Sequence, residues 1–124
     1  MEYYMNLHDN PFNKIKEQSK TIEMRLNDEK RKVLKVNDII IFTNNVTNEK
    51  IKVVILDLYR FDSFKEVYEK FDKVSLGYEK DEIAHYKDMH LYYSEENIKK
   101  YGVLAIKIKV IWCKSYYFYL NVIK

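Results

Sequence analysis

The chain has 124 residues, of which 47% are hydrophobic and 33% charged, with two glycines and one proline. These values are typical of a globular protein and exclude a disordered or collagen-like polymer, so we expect one domain over residues 1–124. The sequence opens without a secretory leader, and its apolar runs are too short to span a bilayer. It therefore predicts a cytoplasmic protein with no membrane partner.

Cysteine and histidine usage gives no indication of a metal or redox site. Cys113 is the single cysteine, so an internal disulfide and a thiolate metal site are excluded. His85 and His90 are five residues apart, a spacing that does not place two ligands on one face of a helix. The sequence predicts no metal and no other cofactor.

The net charge of +3 is small, but the charges are segregated along the chain. Residues 13–35 carry eight Lys/Arg against four Asp/Glu, whereas residues 57–101 carry eight against eleven. This distribution suits a protein that presents one face to phosphate groups. The enrichment in Lys, Asn, Ile and Tyr fits the base composition of a source genome equally well.

The first predicted elements are an edge strand over Tyr3 to Leu7 and a short helix from Pro11 to about Gln18. Asn10 is its expected N-cap, and Pro11 suits the first turn. At helical spacing Phe12 and Ile15 point inward, while Lys14 and Glu17 should face water.

Strict alternation from Lys20 to Leu26 predicts a strand with one apolar and one polar face. The apolar side chains, which should face the barrel core, are Ile22, Met24 and Leu26. The polar side chains are Thr21, Glu23 and Arg25. Because the side-chain period is two, these two sets must lie on opposite faces of the sheet.

Turn and cap signals divide the rest of the chain. A turn at Asn37-Asp38 precedes a predicted hairpin of strands Ile39 to Thr43 and Lys50 to Tyr59. Ser63 and Glu66 form a capping box for a helix that runs to about Asp72.

A second helical pattern covers residues 79–92, and Ser94 and Gly102 bound a third helix. Val103 to Ile111 alternates as a long strand, which the aromatic stretch Trp112 to Leu120 should extend. Periodicity alone thus predicts a mixed α+β barrel with a helical excursion between its strands.

Residues 20–31, with the sequence KTIEMRLNDEKR, resemble the signature of the ASCH family. Asn10-Pro11-Phe12 resembles the "PF" element that often precedes this signature. Weaker similarities follow in the family's order, namely Val36-Asn37-Asp38 to its "GD" turn, Phe61, Ser63 and Phe64 to its "SF" element, and Tyr101 to Ile106 to its "GV-aliphatic" strand. The resemblance covers residues 8–108, and Asn37 replaces a usual glycine at a turn where asparagine tolerates a positive φ.

This resemblance implies a PUA-like β-barrel, with short helices covering the barrel ends and one flank and a cleft beside the signature strand. The family is often proposed to bind RNA. Some members are small amidohydrolases acting on acetylated cytidine, and others are reported as ribonucleases. The expected partner is therefore RNA or a nucleotide- or nucleoside-sized ligand, bound by a monomer or a weak homodimer.

The polar face of the signature strand is the candidate binding site. Thr21, Glu23 and Arg25 are spaced by about 6–7 Å, and Lys20 lies at the start of the strand. A carboxylate accepts hydrogen bonds from the exocyclic amines of bases, while the Arg and Lys side chains bind phosphate. We expect all four to line one cleft. Alternatively, Glu23 and Arg25 form an ordinary surface ion pair.

Two further groups of residues are weaker candidates. Lys30 and Arg31, in a basic cluster, can contact a phosphate backbone, although such a run is often only a solvated face. Base stacking is best tested at Tyr3, Tyr4, Tyr59 and the residues 116–119, because most other tyrosines lie at apolar positions. The aromatic C-terminus leaves a protein-interaction role open.

The enzymatic alternative depends on Lys20 and Glu23 as candidate catalytic residues. The relatives that hydrolyse acetylcytidine use a Lys, a Thr three residues later and a distant Glu. Lys20 matches, but Glu23 stands in the place of the Thr, where a carboxylate can act only as a general base toward water. Glu79 and Glu82 are candidates for the distant Glu. The alternative functions are thus an amidohydrolase of an acylated cytidine nucleoside, or a ribonuclease.

Overall fold

The computed structural model describes residues 1–113. The strands in this range are β1 (Glu2–Leu7), β2 (Ile22–Leu26), β3 (Ile39–Asn44), β4 (Lys50–Phe61) and β5 (Val103–Cys113). The helices are α1 (Asp9–Lys16), α2 (Phe64–Lys70), a 3₁₀ helix (Tyr86–Leu91) and α3 (Glu95–Tyr101).

The five strands form one mixed sheet in the order β1-β3-β4-β5-β2. β1 is parallel to β3, and the other neighbouring pairs are antiparallel. In a flat sheet the two edge strands would be roughly 19 Å apart, at about 4.8 Å per strand. Instead, Arg25 Nη2 on β2 donates a hydrogen bond to the Asn6 carbonyl oxygen on β1 at 2.9 Å. The sheet is therefore curled into a half-barrel, which agrees with the predicted α+β barrel class.

Two hydrophobic clusters cover opposite faces of β5. Leu104 and Ile106 belong to the cluster inside the curl, and Val103 and Ala105 belong to the outer one. All four are fully buried, which explains why the first half of β5 is apolar at every position. Helix α1 contributes to the inner cluster, while α2, α3 and the 3₁₀ helix contribute to the outer one.

The start of α1 differs from the prediction. The helix begins at Asp9 with His8 as N-cap, because Phe12 N–H already donates to the His8 carbonyl. Pro11 still lies in the first turn, where its missing N–H costs nothing. Lys14 was expected to face water, but it is buried and ion-paired with Glu79.

The predicted helical pattern over residues 79–92 was also too long. Only Tyr86–Leu91 is helical, as a 3₁₀ helix. Before it, Glu79 N–H donates to the Glu82 carboxylate at 2.6 Å, and Lys73 Nζ donates to the Glu82 carbonyl at 2.5 Å. These side-chain bonds replace the backbone bonds of a helix.

Several local signals were correct. Asn37 adopts a positive φ of 76° in the predicted turn, and β3 and β4 form the predicted hairpin. Ser63 and Ser94 cap α2 and α3, and Gly102 ends α3 with a φ of 74°. β2 begins at Ile22 rather than at Lys20.

β5 reaches Cys113, and the rest of the aromatic stretch lies outside the described residues. The assignment of residues 1–124 to one domain therefore stays a prediction. Among residues 1–113, no helix combines the length and the apolar character needed to cross a membrane.

Candidate functional site

A cleft of about 590 Å³ lies where the two edges of the curled sheet approach each other. This volume is within the range of small-molecule sites. One wall, here called the β1 wall, consists of lining residues from the end of β1 and the start of α1 (residues 6–11). The opposite wall, here called the excursion wall, consists of lining residues between α2 and α3 (residues 76–93). Lys20 and three β2 residues, Glu23, Met24 and Arg25, also line the cleft.

Lys20, Glu23 and Arg25 form a buried row of charges between the two walls. Lys20 is 6% exposed, and its Nζ donates to the Leu76 carbonyl at 2.8 Å and lies 3.5 Å from Glu23 Oε1. Glu23 Oε2 accepts from Arg25 Nε at 2.9 Å. Because Arg25 Nη2 also bonds to the Asn6 carbonyl, this charged row contacts both walls.

Burial and neighbouring charges set the protonation of this charged row. Loss of solvation lowers the pKa of the Lys20 ammonium, although Glu23 opposes the effect. Burial by itself would favour the neutral form of Glu23, but the Arg25 and Lys20 cations hold its pKa below the ordinary glutamate value. Glu23 is therefore an ionised, weakly basic carboxylate.

Three of the four residues predicted for the cleft line it, and Thr21 does not. The backbone N–H groups of Thr21 and Ile22 both donate to the Ser75 carbonyl at 3.0 Å. Thr21 therefore anchors the chain that leads into the excursion wall, through its backbone rather than its hydroxyl.

Lys30 and Arg31 lie outside the cleft. Lys30 is exposed, and Arg31 Nη1 pairs with Asp28 Oδ2 at 3.0 Å. Burial raises the pKa of the Tyr93 phenol, and the charges of Arg31 and Asp28 also act on it. The turn that holds Arg31 follows β2 within a few residues of Arg25, which lines the cleft.

Four tyrosines of α2 and the excursion line the cleft, namely Tyr68, Tyr78, Tyr92 and Tyr93. The hydroxyls of Tyr68 and Tyr78 are 2.7 Å apart, and Tyr78 donates to Asp88 Oδ2 at 2.6 Å. Burial and these hydrogen bonds raise the pKa of Tyr78.

Sequence reasoning missed all four of these tyrosines. Tyr3, Tyr4 and Tyr59, which it selected, do not line the cleft, and residues 116–119 lie outside the described range. The positions of the lining tyrosines on apolar helical patterns suggested core packing, and Tyr68, Tyr78 and Tyr93 do pack against the outer cluster. No local pattern could reveal that they also line the cleft.

The acidic residues of the excursion have different roles. Glu79 pairs with Lys14 and does not line the cleft, whereas Glu82 and Asp88 do. Among the described residues, the ionisable lining groups other than tyrosine and histidine are thus two cations and three carboxylates, which together give the cleft about one net negative charge. In the described part of the chain, no three His, Cys, Asp or Glu side chains are grouped to hold a metal ion.

The fold and the cleft define a small α+β half-barrel with a ligand-sized site between its edge strands. The ASCH domain family matches residues 5–111, which agrees with the resemblance seen over residues 8–108. The chain belongs to the ASCH domain family, and its fold is the PUA-like fold.

Solved structures support this assignment. The hypothetical protein PH0355 is 35% identical, with a TM-score of 0.76 over 90% of this chain and 100% of its own. Protein PF0455 from Pyrococcus furiosus is 33% identical, with a TM-score of 0.65 over 90% and 98%. The ASCH domain from Lactobacillus crispatus is 14% identical and shares the fold, with a TM-score of 0.62 over 88% and 79%. No protein of curated function matches the chain significantly.

Proposed function

We propose that this protein binds RNA and that the cleft holds one unpaired base. The ASCH family is generally linked to RNA binding. The observation that carries the proposal is the buried charged row of Lys20, Glu23 and Arg25 in a cleft that is also lined by four tyrosines. Sequence-specific proteins commonly take unstacked bases of single-stranded RNA into such aromatic and polar pockets.

The charge of the cleft favours a base over a phosphate. Lys20 and Arg25 already share Glu23, and Glu82 and Asp88 add two more carboxylates. A phosphate group entering this site would meet a net negative charge at short range. A neutral base instead finds aromatic faces and several hydrogen-bond acceptors.

Individual lining residues suit the separate parts of base recognition. The exposed ring of Tyr92 can stack on a base, and so can the face of Tyr93 that does not stack on Phe64. Such stacking tolerates any sequence. The bonds of Arg25 to Glu23 and Asn6 use Nε and Nη2, which leaves Nη1 for a carbonyl of the base. Asp88 can accept from an exocyclic amine.

The phosphate backbone would then lie outside the cleft, along the basic turn after β2. Lys30 is exposed there, and the turn follows closely after Arg25, which lines the cleft. Contacts between these cations and phosphates supply affinity without reading sequence.

Substitution of Tyr92 tests the proposal. Tyr92 is 60% exposed, so Tyr92→Ala should leave the fold intact. We expect this change to weaken binding of a labelled single-stranded RNA by about 1–3 kcal/mol, or roughly fivefold to 150-fold. Fluorescence anisotropy would measure the dissociation constant.

The matched control is Tyr4→Ala, because Tyr4 is 71% exposed and lies outside the cleft. It should bind like the wild type. Equal binding by the wild type and both variants would show that the cleft is not part of the RNA site. No RNA binding by the wild type at low salt would overturn the proposed function.

An amidohydrolase is the second candidate, and Lys20 favours it. A buried lysine with a lowered pKa is a frequent feature of catalytic sites. Against this function, Glu23 has a lowered pKa and is a weak base, and no Ser or Thr of residues 1–113 lines the cleft. The proposed reaction would therefore need direct attack by water.

A turnover assay separates the two functions. An enzyme should release acid from an acylated cytidine nucleoside, and folded Lys20→Ala or Glu23→Gln should lose this activity. A folded wild type without turnover excludes the hydrolase, and RNA that stays intact on a gel excludes a ribonuclease.

A further inference from the structure

The charged row of the cleft forms a continuous chain of polar contacts from one wall to the other. It begins at the Leu76 carbonyl on the excursion wall, which accepts from Lys20 Nζ at 2.8 Å. It continues through Glu23, whose two oxygens face Lys20 at 3.5 Å and Arg25 at 2.9 Å. It ends at the Asn6 carbonyl on the β1 wall, 2.9 Å from Arg25 Nη2. The two walls are thus connected by three side chains that are themselves neighbours.

Stability alone does not explain why three charges occupy this place. A buried ion pair gains little over apolar residues of the same volume, because desolvation offsets most of the attraction between the charges. A fixed chain of hydrogen bonds does, however, set distances that an apolar contact would leave adjustable. Both ends of this chain are backbone carbonyls, so it fixes the positions of main-chain segments.

The main chain of the excursion wall also packs against the Lys20 side chain at Gly77. This glycine has a φ of +112°, and a Cβ added to it would lie 3.1 Å from Lys20 Cδ and 3.4 Å from Lys20 Nζ. The absence of a side chain lets the main chain lie directly on the lysine. Tyr78 follows immediately, and it holds Tyr68 and Asp88 through its hydroxyl. A displacement at Gly77 would therefore move the tyrosines that line the cleft.

We propose that Lys20, Glu23 and Arg25 act as a clamp that fixes the separation of the two cleft walls, and that Lys20 and Gly77 are positioning residues for the bound base. The base is the ligand of the proposed function, so this part rests on that function. The clamp itself is a property of the free protein.

Two glycine variants test the clamp. Gly77→Ala strains the backbone, because residue 77 has a positive φ, and the added Cβ pushes on the Lys20 side chain. Gly102→Ala is the matched control, because Gly102 also has a positive φ and a tight neighbour, the Phe61 carbonyl at 3.0 Å, but does not line the cleft. Both variants should melt at a lower temperature than the wild type. The measurements are amide chemical shifts by NMR and binding of a labelled single-stranded RNA, at a temperature where both variants are folded.

We expect Gly77→Ala to shift the amide resonances of residues 6–8 across the cleft and to weaken RNA binding at least tenfold. Gly102→Ala should do neither. Shifts confined to residues 75–79 would overturn the clamp. If the wild type binds RNA, equal RNA binding by the two variants would overturn the positioning role of Gly77. Should Gly77→Ala fail to fold, Lys20→Met removes the same link without backbone strain, and unchanged resonances at residues 6–8 in this variant would overturn it.

The two proposals fail in different ways. If the wild type binds no RNA, the proposed function is wrong, but the chemical shifts of the free protein still decide whether the walls are coupled. If RNA binding depends on Tyr92 while Gly77→Ala leaves residues 6–8 and the affinity unchanged, only the clamp is wrong.

Discussion

Glu23 keeps its charge in a buried position because two cations flank it. It is 5% exposed, and Lys20 and Arg25 lie within 3.5 Å of its oxygens. Removal of one member of such a buried group leaves the others without compensation, which costs far more than the group contributes as a whole. Single-residue changes in the charged row should therefore affect stability as well as binding.

Acidification should reveal this dependence. The pKa of Glu23 is lowered in the folded state, so the folded protein holds its proton less tightly than the unfolded chain. The resulting stability is complete well above the ordinary glutamate value of about 4.3 and is lost as the pH falls through the lower folded value.

We expect the difference in unfolding free energy between the wild type and Glu23→Gln to be about 3 kcal/mol near neutral pH and to shrink below the ordinary carboxylate range. Urea unfolding at several pH values would measure it. Glu17→Gln, at an exposed position, is the control. A difference that does not change with pH would show that the charge of Glu23 is not responsible.

Arg25 should contribute to stability as well as to ligand binding. Its side chain is only 15% exposed, and it joins Glu23 to the backbone of β1. Arg25→Ala should cost roughly 3 kcal/mol, at the lower end for a broken buried pair because Lys20 still faces Glu23. Urea unfolding beside Arg60→Ala, at an exposed arginine, would test this. Equal stability of the two variants would contradict it.

At the scale of the element, β2 separates the core from the cleft by its alternation. Ile22, Met24 and Leu26 were predicted to face the barrel core, but they are buried in the outer cluster with α2, α3 and the 3₁₀ helix. The reason is that Glu23 and Arg25, which pair with Ile106 and Leu104 of β5, occupy the inner side. Glu23 and Arg25, on the other face, line the cleft. The position of the charged row therefore depends on the packing of the apolar face of β2.

Substitutions of the first residue of β2 and of the residue before it should therefore differ in their effect on stability. Ile22→Ala removes a side chain that is 2% exposed and should cost about 3 kcal/mol of unfolding free energy. Thr21→Ala keeps the backbone bond to Ser75 and should cost less than about 1 kcal/mol. Thermal melts followed by circular dichroism would measure both, and equal costs would mean that the two faces are not distinct.

At the scale of the whole molecule, the segregation of charge gives the protein two unlike surfaces. The basic turn follows β2 within a few residues of Arg25, which lines a cleft that is itself weakly acidic. A polyanion can therefore approach with its backbone on the turn while only a base enters the cleft. Such binding should depend on salt through the turn alone.

The salt dependence of RNA binding tests this division. Lys30→Gln should reduce the slope of log K against log salt by about 0.7, the value for one phosphate contact to a single strand. Lys99→Gln, at an exposed lysine of α3, should leave the slope unchanged. Titrations between roughly 50 and 200 mM salt would measure the slopes. Identical slopes for both variants would contradict a phosphate contact at Lys30.

Much of the fold could be predicted from local patterns. The alternation of residues 20–26, the serine caps at Ser63 and Ser94, and the turn at Asn37 each depend on chemistry within a few residues. The helix predicted over residues 79–92 failed because the carboxylate and carbonyl of Glu82 bind neighbouring groups, a competition that periodicity does not reveal. The prediction that Lys14 faces water was wrong because its ion-pair partner, Glu79, is 65 residues away in the sequence.

The sequence by itself determined the approximate positions of the strands and the alternation of apolar and polar side chains over residues 20–26, because side-chain alternation and capping are local properties of the chain. Only the tertiary structure decided that Lys20, Glu23 and Arg25 face four tyrosines of α2 and the excursion, and that Thr21 does not line the cleft. The reason is the curl of the sheet, which brings its two edge strands together through Arg25 and Asn6. The β4–β5 pair carries two register shifts, between Lys52 and Val53 and between Ile55 and Asp57, and such irregularities bend a sheet in a way that side-chain alternation does not reveal.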